Sequence, residues 1–282
     1  MPSKRAASII HDRKIRYPSE IYVRDIAMSL GAYVRERELH GCEARLVRKG
    51  SIGIISVNET IPEEGRKRFA IAHEIGHFVL HTGTQLILCD EEDMHAWKDN
   101  KAREIEANEF AASLLMPQGI FIRYVVDGQP TFGSISDLST EFRTTLTATA
   151  LRYVSLSKEP CALVVSKDGY IKWYRKSDSF GFHVKVSKKL SFDTFAFDHF
   201  DGVELPKDPD SVPAGAWLAG KIDDKSDIIE QSVSLGGYGV VLSLLWICDD
   251  IKNTYRRYDE EPNETEFDMT NPFTPDGKRW KW

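Results

Sequence analysis

Apolar residues begin to recur at helical spacing only after residue 17. Ile21, Val23, Ile26, Ala27 and Leu30 lie on one face and stop at Gly31, so a flexible N-terminus over residues 1–17 and then a helix capped by Ser19 are expected. Three strand-like runs follow, Ala32 to Arg37, Ala44 to Arg48 and Ile52 to Val57, separated by Gly41 and by Lys49-Gly50. Their short connections suggest an antiparallel meander, with the last and most apolar run buried. Pro62, Glu63 and Glu64 then suit the start of a helix that carries Phe69, Ala72, Ile75, Val79 and Leu80 as far as a cap at Gly83. Residues 84 to 100, with Asp90, Glu91, Glu92 and Asp93 in a row, read as a surface loop over a cleft. A second helix starts near Lys101, carries the small residues Ala107, Ala111 and Ala112 that permit close packing, and ends at Pro117.

Ser134 to Ser157 patterns as two short helices, Ile135, Leu138 and Phe142 facing inward on one and Leu146, Ala150, Leu151 and Val154 on the other, with Arg143-Thr144-Thr145 between them. This has the outline of a helix-turn-helix, yet its second helix offers only Arg152 as a base-reading cation, which favours packing over DNA readout. After Lys158-Glu159-Pro160 the pattern turns to strands. Cys161 to Ser166 and Tyr170 to Arg175 flank Lys167-Asp168-Gly169, a hairpin signal. Further strands are expected at Phe182 to Val186, Ala216 to Lys221, Ile228 to Val233 and Tyr238 to Cys248. The chain is thus α+β, with a helix-rich domain over 18–158, a β-rich α+β domain over 160–255 and an acidic mobile tail over 256–282.

Composition narrows the class. With 41% apolar and 28% charged residues in 282, the chain has enough core to fold without staples. No run approaches 18 apolar residues and the N-terminus lacks a signal-peptide core, so a cytoplasmic protein without a membrane partner is expected. Cys42, Cys89, Cys161 and Cys248 are scattered and read as reduced thiols. A net charge of −6 argues against coating nucleic acid, although residues 1–49 carry a net +5 that reads as a solvated face.

The chemistry concentrates at Ala72-His73-Glu74-Ile75-Gly76-His77-Phe78, an H-E-x-x-H core inside an apolar run. On a helix His73 and His77 project from nearly one face about 6 Å apart, close enough to share an ion. Zinc suits two neutral imidazoles, and Glu74 is placed to take the proton of a water on that ion. The second helix offers Glu104, Glu106 and Glu109 as a third ligand. Glu104 and Asn108 are a turn apart on one face, while Glu106 points roughly 200° from Glu104. His81 extends His73 and His77 by another turn, but the face drifts about 80° over eight residues, which fits a supporting or helix-dipole role better than coordination. His95 falls in the acidic loop as a solvated histidine.

Arg68-Phe69-Ala70-Ile71-Ala72-His73-Glu74-Ile75-Gly76-His77, followed by Glu104-x-x-Ala107-Asn108-x-Phe110-Ala111-Ala112-x-Leu114-Leu115-Met116-Pro117, resembles the ImmA/IrrE family of metallopeptidases over about residues 15 to 155. The resemblance implies a zincin-like metallopeptidase domain with zinc on His73, His77 and Glu104, Glu74 as general base and Asn108 holding a histidine N–H. It implies a cytoplasmic peptidase that cuts a helix-turn-helix transcriptional repressor to induce genes in a stress response or from a mobile element. The N-terminal helix-turn-helix that some members of the family carry is not expected here, where there is no room for one before residue 18, and the family's peptidase scaffold includes a segment like 134–157. By analogy with members that carry a GAF-like sensor, the second domain would bind a signal or the repressor; a structural or dimerising role is the alternative. Two other functions stay open: a non-catalytic regulator using the fold to bind a partner or DNA, and a toxin–antitoxin or phage-defence component.

Overall fold

The computed structural model describes residues 1–81, 94–125, 128–220, 222, 225–236 and 239–247. The described residues fall into two compact units, one built from residues 1–124 with 138–148 and the other from 125–137 with 149–247. The division passes through the helix pair rather than after it.

The first unit begins with helix α1 (Pro2–Asp12), a correction to the flexible N-terminus expected there. Ala6, Ile9 and Ile10 are buried at helical spacing and pack on α4 (Met94–Leu115). A stripe this short is hard to read from the sequence, yet three buried side chains suffice once a partner helix is present. A 3-10 turn at Pro18–Glu20 precedes α2 (Val23–Ser29), whose N-cap is Tyr22 and not Ser19.

Strands β1 (Ala32–Arg37), β2 (Ala44–Lys49) and β3 (Ile52–Asn58) fall where the pattern puts them, but they do not form a meander. Their order is β1-β3-β2, with β1 parallel and β2 antiparallel to β3. The apolar β3 takes the centre, where Ile55 and Val57 are fully buried, and the charged β1 and β2 take the edges. Helix α3 (Glu64–Leu80) lies on this sheet: the Phe78 ring fills the space over Gly53, and Arg48 stacks on that ring and donates to the Phe78 carbonyl at 2.7 Å. It ends with His81 at its C-cap, two residues before the cap expected at Gly83; Gly83 lies outside the described residues, as does most of the acidic segment. Met94 opens α4 seven residues before Lys101, so His95 belongs to a helix and not a loop. Pro117 ends α4 and caps the short α5 (Gln118–Phe121). Helices α6 (Phe132–Phe142) and α7 (Leu146–Leu156) follow, with Arg143 between them at φ 52°.

The second unit is a five-stranded antiparallel sheet in the order β5-β4-β8-β7-β6, formed by β4 (Cys161–Lys167), β5 (Tyr170–Lys176), β6 (Asp210–Pro213), β7 (Asp227–Ser234) and β8 (Val240–Trp246). Asp168 and Gly169 sit at φ 53° and 77°, the two-residue turn with both central residues left-handed that matches strand twist. The expected strand at Phe182 to Val186 amounts to one bridge, Val184 to Leu218, and of the one expected at Ala216 to Lys221, Ala216 and Trp217 end helix α9 (Ala214–Trp217) and Leu218 makes that bridge, while Lys221 lies outside the described residues. Helix α8 (Phe195–Phe200), capped by Thr194, was hidden by its run of phenylalanines. Trp217, Tyr174, Phe180, Val164 and Leu245 fill the core of this unit. The expected tail, 256–282, lies outside the described residues.

Candidate metal centre

The site is assembled where α3 and α4 cross. Gly76 faces Ala107, and a Cβ at Gly76 would stand 3.1 Å from the Ala107 Cα, so the helices meet almost backbone to backbone. That contact, with Ala107, Phe110 and Ala111 fully buried beside it, brings side chains from both helices to one point.

His73 and His77 are each 4% exposed, and their Nε2 atoms are 3.0 Å apart. Glu104 reaches both, Oε2 at 3.1 Å from His73 Nε2 and Oε1 at 3.1 Å from His77 Nε2. Among the described residues this is a group of three whose ligand atoms all lie within 4.8 Å of one another. Donors about 2.0–2.1 Å from a tetrahedral zinc would be separated by roughly 3.3 Å, so the triangle is near the right size and slightly closed.

The polar chemistry fits the same ion. His73 Nδ1 is 2.8 Å from Asn108 Oδ1, an oxygen that can only accept, so the ring proton sits on Nδ1 and the Nε2 lone pair faces the centre. Lone pairs and a carboxylate gathered at this distance require protons or a cation between them. Where ring protons fill that place, burial opposes the charge on Glu104, but hydrogen bonds from His73 and His77 and their positive charge overturn this and hold the carboxyl well below the ordinary range. Glu74 is part-buried one residue after the first histidine.

His81 continues the ladder without entering the triangle. Its Nδ1 is 3.0 Å from His77 Nδ1 and its Nε2 is 2.9 Å from Glu106 Oε2. Burial pulls its imidazole below the usual histidine value, against the hydrogen bond to Glu106. Glu106 was set aside in the sequence because it points away from Glu104. Only the helix crossing, which carries α4 past the end of α3, gives it His81 as a neighbour. The sole trace in the sequence is a carboxylate one residue before the small Ala107.

Arg68, at the head of the motif, is buried and donates through Nη1 to the Ile21 carbonyl at 3.0 Å, tying α3 to the segment before α2; burial lowers its guanidinium to about 10. The thiol of Cys161, buried in the second unit, is pushed up to about 11 by that burial.

Residues 27–153 match the model of the IrrE N-terminal-like domain, the Peptidase M78 family. A solved structure described as a Mycobacterium tuberculosis transcriptional regulator shares the fold, with a TM-score of 0.56 and 15% identity over 93% of each chain. No curated protein matches significantly. No helix among the described residues is long and apolar enough to cross a membrane.

Proposed function

We propose, from the match of residues 27–153 to the IrrE N-terminal-like domain of the Peptidase M78 family, that this chain is a zinc-dependent endopeptidase of the cytoplasm. Its proposed substrate is a helix-turn-helix transcriptional repressor, the class that the family resemblance implies. The observation that carries the enzymatic reading is the convergence of His73 Nε2, His77 Nε2 and the Glu104 carboxylate within 3.1 Å, walled in by two helices in near-backbone contact.

The chemistry the metal supplies when bound is Lewis acidity, which lowers the pKa of a water toward about 7 and polarises a peptide carbonyl. The protein supplies the rest. Asn108 orients the ring of His73, and Glu104 offsets the positive charge that the site collects. Glu74 lies on the turn between the two histidines, where it accepts the proton of the attacking water and returns it to the departing amine. The second unit is proposed to receive a signal or the repressor itself.

The test is cleavage of a helix-turn-helix protein by the full chain, with and without a chelator. Glu74→Gln should bind zinc as the wild type does while losing roughly 100- to 10,000-fold in rate. Wild-type cutting by this variant removes Glu74 from the mechanism. Zinc uptake with no cleavage, joined to salt-dependent binding of duplex DNA, would instead support a non-catalytic regulator.

A further inference from the structure

The two histidines of the site are held by different means. His73 donates from Nδ1 to a neutral amide oxygen, that of Asn108 at 2.8 Å. His77 has no such amide. Its Nδ1 faces the Nδ1 of a third ring, His81, at 3.0 Å, and two ring nitrogens at that distance require one donor and one acceptor.

Glu106 decides which is which. Its carboxylate accepts at Oε2 from His81 Nε2 at 2.9 Å, so the His81 proton sits on Nε2 and its Nδ1 carries a lone pair. That lone pair accepts from His77 Nδ1–H. His77 Nε2 is then left with its lone pair directed at His73 Nε2 and Glu104.

We propose that Glu106 and His81 are positioning residues that form a two-step hydrogen-bond relay, fixing the tautomer and ring orientation of His77 as a metal ligand. The inference rests on the metal site proposed above and adds to it a carboxylate that neither the motif nor the ligand set includes. Groups that orient a ligating histidine typically change metal affinity by about 10- to 100-fold when removed. The geometry is suited to this: the His81 side chain is 7% exposed and has little freedom, while Glu106 is half-exposed and reaches it from α4. Its exposure also makes it replaceable without harm to the core.

Zinc affinity of the full chain, measured by competition with a chromophoric chelator, tests the relay without recourse to activity. Glu106→Ala should bind zinc about tenfold more weakly. Glu106→Gln should recover most of the loss, because its amide oxygen still accepts from His81 Nε2. In a His81→Ala background the effect of Glu106→Ala should vanish, since the two act in series, whereas with Asn108→Ala it should multiply, since that residue serves the other histidine. Wild-type affinity in Glu106→Ala overturns the relay, as does a Glu106→Ala loss that persists without His81, or a Glu106→Gln variant as weak as Glu106→Ala. A wild-type chain that takes up no zinc overturns the metal site and the relay together; the other adverse outcomes leave the metal site standing.

Discussion

Glu230 is fully buried on β7, where its carboxylate accepts from Trp217 Nε1 at 2.7 Å, from the Ala196 N–H at 2.9 Å and from Ser232 Oγ at 2.7 Å. One side chain thus ties α9 and the start of α8 to the sheet. Burial raises its pKa, against the pull of those hydrogen bonds. A carboxyl whose folded value is raised contributes stability that is full below the unfolded value of about 4.3 and is lost as pH rises through the folded one. The unfolding free energy of the second unit, followed by tryptophan fluorescence in urea, should therefore fall over that window in the wild type and not in Glu230→Gln. A pH-independent difference between the two proteins would show that Glu230 stays ionised throughout. Nothing in the sequence around Glu230 announces this: a Glu between Ile229 and Gln231 reads as an outward residue on a half-buried strand. His73, His77 and Glu74 are the opposite case, since their chemistry follows from spacing along a single helix.

At the scale of elements, the contact between α3 and α4 governs the site. In a lone helix Gly76→Ala would gain about 0.8–1 kcal/mol of helix propensity. Here the added methyl meets the Ala107 backbone at 3.1 Å, which cannot move aside as a side chain would. Overpacking of this kind costs about 1–3 kcal/mol, so the steric effect should win. Gly76→Ala is expected to lower the stability of the first unit and to weaken zinc binding, checked by thermal unfolding and metal titration; a more stable variant would mean that the helices stand further apart. The small residues on α4 made this approach readable in advance, and the hairpin at Asp168-Gly169 was readable for the same reason, that local geometry admits few residues. The order β1-β3-β2 was not. Which strand takes the centre depends on the helix above it, and short connections favour a meander until Phe78 and Gly53 are seen to meet.

At the scale of the whole molecule, the candidate ligands His73, His77 and Glu104 all lie in the first unit and the packed core around Trp217 and Tyr174 lies in the second. Zinc that binds only the folded site stabilises by mass action, about 2.7 kcal/mol at a hundredfold excess over Kd. Calorimetry should therefore show zinc raising the transition of the first unit and leaving that of the second in place, with a chelator reversing the shift. A common shift of both would mean that they unfold together. Sequence alone singled out His73 and His77 as a candidate metal pair, Glu74 as a candidate base and most helices and strands, because each of these rests on periodicity or on residues within a turn of one another; Glu104 came as a candidate through the family resemblance. Tertiary structure decided what depends on distant segments meeting: the anchoring of α1 on α4, the mixed order of the first sheet, the burial of Glu230, and the placement of Glu106 beside His81. The relay exists only because Gly76 and Ala107 let two helices cross closely enough for a carboxylate 25 residues away to reach the last ring of the ladder.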